Sequence, residues 1–187
     1  MVRGFTLLEL IITLAIFTIV AGILLADYPR FAARINLRRS AQEIALSIRE
    51  AQFSAFAVRG FQSGGQTIFK SWGINFNKSV SDKEYTLFVD ANGDFEYDPP
   101  PAAPNELVKK FQVAGTSKIV SLCAGLKTAI PDTCSLNRLD IIYQRPNPDT
   151  ILKGNGSVYS DLEIIIRSPD GLQRTIVVWS TGQISVE

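Results

Sequence analysis

The 187-residue chain contains no histidine and only two cysteines, Cys123 and Cys134. The missing histidine excludes histidine-ligated metals, histidine general bases and every Ser-His or Cys-His relay. Two cysteines by themselves cannot supply the four ligands of a structural zinc site. The 19 Lys and Arg nearly balance the 18 Asp and Glu, which argues against nucleic-acid binding through bulk charge. These absences remove most common enzyme classes, and the sequence predicts a protein that is not an enzyme.

Apolar residues are plentiful by contrast, at 46% of the chain. This excludes a disordered chain, and the length suits one globular domain plus an appendage. The appendage is the apolar run 5–26, in which Glu9 is the single charge. As a helix at about 1.5 Å per residue, this run spans roughly 33 Å, enough to cross a hydrocarbon core of about 30 Å. The sequence therefore predicts a membrane-spanning helix near the N-terminus.

Two interpretations of this apolar run are open. The run is too long for a cleaved secretory signal and no small-x-small site follows it, so an uncleaved signal anchor is the simplest interpretation. The second starts from Glu9, because a carboxylate inside a membrane helix is costly and usually has a partner or a function. Glu9 can reach the nearby lipid headgroups, or it can pair with a positive charge on a neighbouring chain.

The string Gly4-Phe5-Thr6-Leu7-Leu8-Glu9, followed by the apolar run, resembles the N-terminus of type IV pilin-like proteins. That family includes type IV pilins and the pseudopilins of type II secretion. The resemblance implies that a prepilin peptidase removes residues 1–4 as a leader by cutting after Gly4, and that Phe5 becomes the N-methylated terminus. It also implies that Glu9 acts in assembly, near the Phe5 ammonium group of a neighbouring subunit. A misaligned subunit would leave a buried charge unpaired, at a cost of about 3–5 kcal/mol, so this pair would set the register.

A second helical pattern continues the helix over residues 27–60. Pro29 interrupts the apolar run and is expected to kink the helix, which should reach about Val58 before Gly60 ends it. An apolar stripe at 4-3-4-3-4 spacing predicts an amphipathic helix, and its simplest interpretation is the face that packs on the protein's own sheet. The stripe consists of Leu37, Ala41, Ile44, Ile48, Ala51 and Ala55. Arginines at 30, 34 and 38 form a row that can meet lipid phosphates, acidic groups of adjacent subunits or solvent.

From Ser71 onward the apolar period changes to two and β-branched residues dominate, which predicts strands. The sequence Ser168–Gly171 between two apolar runs predicts a hairpin turn. One long helix followed by strands predicts an α+β fold, in which the helix packs on an antiparallel β-rich domain over residues 61–187. The predicted strands are Trp72–Phe76, Glu84–Val89, Leu107–Val113, Lys118–Leu122, Leu139–Gln144, Asp161–Arg167, Gln173–Trp179 and Gln183–Val186.

Two stretches of this region, 72–94 and 162–184, are similar to the H-type pseudopilin and FimT-like minor pilin group (the GspH group). The resemblance implies a structural subunit of a type IV pilus-like or type II secretion filament. It implies a single-pass membrane protein with a cytoplasmic N-terminus and an extracytoplasmic body, which then enters a cell-surface pilus or a periplasmic pseudopilus. The implied partners are other pilin or pseudopilin subunits, the prepilin peptidase, and membrane lipid before assembly.

The alternative function is a filament-tip minor pilin that binds DNA or secretion substrate. Some FimT-like pilins bind DNA through a C-terminal glycine-arginine motif, whereas the matching end here, residues 181–187, has no arginine. Arg167 and Arg174, which flank the predicted hairpin turn, are then the candidate DNA contacts.

An acidic segment of the body suggests the one candidate cofactor, calcium. Asp90, Asn92, Asp94 and Asp98 place oxygen donors at alternate positions, as at the start of a calcium loop. A solvated turn between strands explains the same residues, since Asp, Asn and Gly are turn formers. No other cofactor is expected.

The two cysteines lie close in sequence, with ten residues between Cys123 and Cys134. Outside the cytoplasm such a local pair is expected to form a disulfide, which would contribute about 2–3 kcal/mol. Two independent buried thiols are the alternative.

Overall fold

The computed structural model describes residues 6–102, 104–127, 133–144 and 149–187. These residues form one long helix, α1 (Leu7–Phe56), followed by strands, so the predicted α+β fold is confirmed. The strands are β1 (Phe61–Ser63), β2 (Gln66–Ile68), β3 (Ser71–Asn77), β4 (Glu84–Asp90), β5 (Leu107–Gln112), β6 (Lys118–Ala124), β7 (Thr133–Leu136), β8 (Arg138–Tyr143), β9 (Thr150–Gly154), β10 (Ser157–Val158), β11 (Asp161–Arg167), β12 (Gln173–Trp179) and β13 (Ile184–Val186).

Helix α1 runs without interruption through Pro29. Thr6 caps its N-terminus, because the Thr6 hydroxyl accepts the backbone N–H of Glu9 at 3.3 Å. The helix ends at Phe56, and the left-handed residue that follows is Val58, with a φ of 55°. The expectation that Gly60 ends the helix was therefore wrong, since the chain leaves the helical conformation before it reaches that glycine.

The second half of α1 packs on the β-rich domain. All six residues of the predicted apolar stripe are buried, so the interpretation of that stripe as a core face is confirmed. The helix contacts β3 and β8 of one sheet and β11, β12 and β13 of another. Three polar contacts help to fix its position: Ser40 donates a hydrogen bond to the Ala114 carbonyl at 2.8 Å, the Ser47 and Tyr85 hydroxyls lie 3.0 Å apart, and the Gln52 amide donates to the Gly182 carbonyl at 3.2 Å.

The strands pair antiparallel throughout the described residues. Six of them form a sheet in the order β10-β9-β8-β3-β4-β5, and five form a second sheet in the order β13-β12-β11-β6-β7. Strands β1 and β2 form a separate hairpin. One hydrophobic core joins the helix to both sheets, as Ile44, Ile74 and Ile164 illustrate. The helix and the two sheets therefore make one body.

The eight predicted strands are all present; two match at both ends, and the ends of the others are shifted by at most two residues. Five short strands were missed: β1, β2, β7, β9 and β10. Gly64 and Gly65 both have positive φ and make the tight turn of the β1–β2 hairpin. Asn155 and Gly156, also at positive φ, turn β9 into β10. An Asn-Gly pair is a hairpin signal, so this second hairpin was detectable.

Candidate functional site

The first half of helix α1 is apolar and exposed. Leu7 and Phe17 keep 78% and 71% of their surface accessible. No residue in the most apolar 18-residue window is buried, and by length and composition the helix can cross a membrane. A single copy of the chain leaves this surface uncovered, while the second half of the same helix is a core element. The two halves of one helix therefore require different surroundings.

The polar side chains of residues 7–20 are Glu9, Thr13 and Thr18. Thr13 donates a hydrogen bond to the Leu10 carbonyl at 3.0 Å, and the Thr18 hydroxyl is likewise bonded within the helix. Such internal bonds make a hydroxyl tolerable in a membrane, where no water replaces them. Glu9 is exposed, and its carboxylate makes no hydrogen bond or ion pair with any described residue. It is thus the one polar side chain of this stretch that needs a partner from elsewhere.

Glu9 also lies in the first turn of α1, where the helix macrodipole favours a negative charge. Thr6, the residue that caps this turn, was missed in the sequence analysis. The signal was available, because Thr6 and Glu9 have the Thr-x-x-Glu spacing of a capping box. Gly4 and Phe5 lie outside the described residues, so cleavage and methylation there stay predictions.

The acidic segment after β4 is a loop closed by its own hydrogen bonds. Asp90 accepts the N–H of Gly93 at 2.7 Å, and the Asn92 amide donates to Asp94 at 2.9 Å and to Asp98 at 3.0 Å. Across the described residues, no group of three or more His, Cys, Asp or Glu side chains is placed to hold a metal ion. The oxygens proposed for calcium therefore already serve the loop, and calcium binding stays a prediction.

Glu106 holds this loop from the opposite side, and sequence reasoning missed it. One of its carboxylate oxygens accepts the N–H of Ala91 at 2.9 Å, and the other accepts the N–H of Asp98 at 2.9 Å. Glu106 and Asp90 are both almost fully buried, at 0% and 1% exposure. Burial raises the pKa of each carboxyl, against the backbone hydrogen bonds that lower it. The negative charge of Asp94 adds to the rise in the pKa of Asp90, and the negative charge of Asp90 adds to the rise in the pKa of Glu106. No distinctive spacing marks Glu106, because its partners are backbone groups.

A partly buried ionic cluster ties the same loop to strand β8. Asp140 is 2% exposed and receives hydrogen bonds from Arg138 Nε at 2.6 Å, from the Asn75 amide at 2.7 Å and from the Tyr97 N–H at 3.2 Å. Burial raises the pKa of Asp140 even though Arg138 lowers it. Glu96 adds ion pairs to Arg138 at 3.4 Å and to a lysine of β9 at 3.3 Å. Each carboxylate has a partner, so the cluster is structural.

Cys123 of β6 and Cys134 of β7 are joined by a disulfide, which confirms the predicted pair. Both cysteines of the chain are thereby used, and neither is free. The bond ties the edge strand β7 to the five-stranded sheet, where only a short and irregular ladder holds it otherwise.

The two candidate DNA contacts, Arg167 and Arg174, lie on either side of the β11–β12 hairpin turn. Arg167 stands opposite Gln173 and Arg174 stands opposite the buried Ile166, so the two arginines project from opposite faces of the hairpin. With the Gln173 amide oxygen facing Arg167, that oxygen accepts hydrogen bonds from the guanidinium group. Arg174 instead faces helix α1, where it lines a cleft together with Arg34 and Arg38. The hairpin therefore does not present one shared basic tip.

The fold and the site together define a class of protein. In this class, an antiparallel β body packs on the second half of a long helix, and the first half of that helix is apolar and exposed. Comparison with known families gives one match: residues 1–25 match the family described as the prokaryotic N-terminal methylation motif. This match supports a type IV pilin-like prepilin and, with it, assembly with other pilin subunits. It ends before the body and does not address the H-type or FimT-like subgroup. No curated protein and no solved structure gives a significant match to the chain.

Proposed function

We propose that this chain is a structural subunit, a pilin or pseudopilin, of a type IV pilus-like or type II secretion filament. The observation that carries the proposal is the exposed apolar half of α1, which begins inside the methylation motif. A prepilin peptidase cuts between Gly4 and Phe5 on the cytoplasmic side and methylates Phe5. The transmembrane helix 5–26 and its continuation 27–60 then carry an extracytoplasmic body, residues 61–187, into the filament.

The energetics of assembly explain why Glu9 matters. The apolar half of α1 passes from lipid into the filament core, and both environments suit the same side chains. Lipid tails are as apolar as leucine, so this transfer has little hydrophobic driving force, and packing and polar pairing must supply specificity. A Glu9 carboxylate near the Phe5 ammonium group of a neighbouring subunit supplies such a pair. Its main effect is on register, because a misplaced copy would leave a buried charge unpaired at a cost of about 3–5 kcal/mol.

Mass spectrometry of the native protein tests the processing step. The expected N-terminus is methylated Phe5. If the protein keeps Met1 and the whole leader in cells that contain an active prepilin peptidase, the chain is a plain signal anchor and the proposal is wrong.

Replacement of Glu9 by alanine tests the assembly step separately. The Glu9→Ala protein should still insert into the membrane and lose its leader, but it should be depleted from sheared or purified filaments. Glu50→Ala is the matched control, because Glu50 is an exposed carboxylate on the same helix and is expected to leave incorporation unchanged. Normal incorporation of Glu9→Ala would contradict the role given to Glu9.

The subgroup remains part of the proposal. Similarity over 72–94 and 162–184 supports an H-type pseudopilin or FimT-like minor pilin, and these stretches contain β3, β4, β11 and β12. The alternative of a filament-tip subunit that binds DNA or secretion substrate has weaker support, because Arg167 and Arg174 lie on opposite faces of the hairpin. The methylation motif marks structural subunits and not enzymes, which supports a non-enzymatic function.

A further inference from the structure

A cleft of about 470 Å³ lies between helix α1 and the tip of the β11–β12 hairpin. One wall is the helix just after the apolar run, and the other wall is the hairpin turn. The side chains that matter for its chemistry are Phe31, Arg34, Ile35, Arg38, Leu172 and Arg174. Residues far apart in sequence thus combine three cations with apolar surface.

The three arginines of the cleft have no acidic partner in the described part of the chain. No aspartate or glutamate lines the cleft, and none of the ion pairs involves Arg34, Arg38 or Arg174. Arg39, the next helical residue, shows the contrast, because it pairs with Glu43 at 2.8 Å. Three arginines that line one cleft without a counter-ion favour an anion, and their planar N–H donors match phosphate oxygens in particular.

The walls between these cations are apolar and accessible. Phe31 is 62% exposed, Ile35 is 50% exposed and Leu172 is 37% exposed. A small hydrated anion gains nothing from such surface. An amphipathic anion, with a phosphate joined to hydrocarbon, fits both features of the cleft.

The cleft is held open by rigid elements. On the hairpin side, Ser168 donates its N–H to the Leu172 carbonyl at 2.9 Å and accepts the Gly171 N–H at 3.0 Å. Gly171 has a φ of 84°, a conformation that suits glycine in a tight turn. On the helix side, Leu37 is buried in the core and Ser40 is bonded to the Ala114 carbonyl. The arginines are therefore presented by fixed backbone.

The cleft lies at the level of the lipid headgroups if residues 5–26 span the bilayer. Arg34 follows Ala26 by eight residues, which is about 12 Å along a helix. Helical side chains lean toward the N-terminus, so a long arginine reaches back by about one turn, or ~5 Å. The headgroup layer is about 5–8 Å thick on each side of the hydrocarbon core. The Arg34 guanidinium therefore reaches this layer, with Arg38 about one turn further out.

We propose that this cleft binds the phosphate headgroup of an anionic membrane phospholipid, such as phosphatidylglycerol, while the subunit is anchored in the bilayer. The arginines hold the phosphate, and Phe31, the apolar wall residue nearest the bilayer, contacts the glycerol and the upper acyl carbons. This proposal rests on the membrane-anchored stage of the proposed function and not on filament assembly. A lipid phosphate is favoured over DNA because the three cations line one recess with apolar walls, while Arg167 projects from the other face of the hairpin.

The test uses the full-length protein in detergent, with short-chain phosphatidylglycerol or phosphatidylcholine added and bound lipid counted by native mass spectrometry. The triple variant Arg34→Gln, Arg38→Gln, Arg174→Gln is compared with Lys70→Gln, Lys83→Gln, Lys110→Gln. The control changes the net charge equally, and its three lysines are exposed and lie outside the cleft. The wild type and the lysine control should bind phosphatidylglycerol at least about tenfold more tightly than the arginine variant does, which corresponds to about 1.4 kcal/mol.

Several outcomes would overturn the proposal. Equal affinity of the wild type for the two lipids removes the anion preference, and an equal loss in the lysine control reduces the effect to net charge. Inorganic phosphate that competes as well as the lipid at equal concentration removes the role of the apolar wall. A DNA duplex that binds more tightly than the lipid and depends on the same arginines reassigns the cleft to DNA.

Two further measurements keep the test decisive. The denaturation midpoint of each variant in the same detergent reports whether it folds, and the single variant Arg174→Gln replaces the triple variant if that one does not. A mass spectrum of the same native preparation under denaturing conditions reports leader removal. Absence of lipid binding by a wild type with a correctly processed N-terminus overturns the lipid site alone. An unprocessed N-terminus in protein from cells that contain an active prepilin peptidase overturns the proposed function.

Discussion

The guanidinium Nε of Arg138 lies 2.6 Å from a carboxylate oxygen of Asp140, two residues further along the same strand. The two side chains share one face of β8, since residues at i and i+2 of a strand do so. Asp140 also accepts hydrogen bonds from Asn75 on the neighbouring strand and from the backbone of Tyr97. This single carboxylate therefore joins two strands and the loop that follows β4.

Replacement of Asp140 by alanine should destabilise the body strongly. It would remove the hydrogen-bond acceptor of the Asn75 amide and of the Tyr97 N–H, and it would leave Arg138 with the weaker Glu96 pair at 3.4 Å, which predicts a loss of about 3 kcal/mol or more. Urea denaturation in detergent, followed by the fluorescence of Trp72 and Trp179, measures this in the β body. Asp82→Ala is the control, because its ion pair with Lys118 at 3.8 Å is exposed and should be worth less than about 1 kcal/mol. Similar losses in the two variants would contradict the importance given to the cluster.

The buried carboxyls Asp90 and Glu106 predict a pH dependence of stability. Burial raises the pKa of both in the folded protein, so over the range just above the ordinary carboxyl pKa the folded state binds more protons than the unfolded state does. Stability from these groups is therefore present at low pH and is lost as the pH rises through the folded-state pKa. Asp90→Asn removes one charge and keeps the oxygen that accepts the Gly93 N–H.

We therefore expect the free energy of unfolding of the wild type, relative to Asp90→Asn, to fall as the pH rises from about 4 to 7. Urea denaturation at a series of pH values measures this difference. Gln66→Ala, an exposed change that removes no titrating group, should give a nearly constant difference over the same range. If the free energy of unfolding of the wild type, relative to Asp90→Asn, instead increases with pH, the pKa of Asp90 is not raised in the folded protein.

The disulfide predicts a redox-dependent stability. Removing Cys123 and Cys134 together, as the double alanine variant, should cost about 2–3 kcal/mol, because the unfolded chain gains the entropy of a short open loop. Urea denaturation of the wild type with and without a thiol reductant should show a loss of similar size. The double variant should be insensitive to the reductant. A wild type whose midpoint does not change on complete reduction would contradict a stabilising role.

The sequence predicted those parts of the fold that depend on periodic apolar patterns. The stripe from Leu37 to Ala55 and the long strands β3, β4, β11 and β12 are each long enough for a period of 3.6 or of 2 to be evident, and they form the core. Short strands such as β7 and β10 contain too few residues for a period. Their formation is decided by neighbours, namely the disulfide for β7 and an Asn-Gly turn for β10.

Some residues of the candidate site were likewise predictable from the sequence, and others were not. Glu9 was found because a lone charge in an apolar run is conspicuous in sequence, and the cysteine pair was found because its members lie close along the chain. The basic cleft was not predicted, although its arginines were noticed, because Arg34 and Arg174 meet only through the packing of α1 against the hairpin. Glu106 and Asp140 accept hydrogen bonds from backbone N–H groups or from residues distant in sequence, so no sequence motif marks either residue.

The end of helix α1 predicts a substitution that stabilises the protein, whereas the substitutions of Asp140 and of the two cysteines destabilise it. Arg59 donates its N–H to the Ser54 carbonyl at 3.2 Å and Val58 donates to the Ala55 carbonyl at 3.4 Å, which is the bonding of a Schellman motif. Its left-handed residue, usually glycine, is here the β-branched and half-exposed Val58. A left-handed conformation costs a residue with a Cβ about 1–2 kcal/mol, whereas glycine adds about 0.4–1 kcal/mol of unfolded-state entropy.

Val58→Gly should therefore raise the free energy of unfolding by about 0.5–1 kcal/mol, since relief of backbone strain exceeds the entropic cost. The increase in the urea midpoint of the full-length protein in detergent measures it. Val80→Gly is the matched control, because Val80 is 80% exposed and is not at positive φ, so only the entropic cost of about 0.4–1 kcal/mol remains. The two variants should move the midpoint in opposite directions. If Val58→Gly lowers it as Val80→Gly does, the helix does not end in the left-handed turn described here.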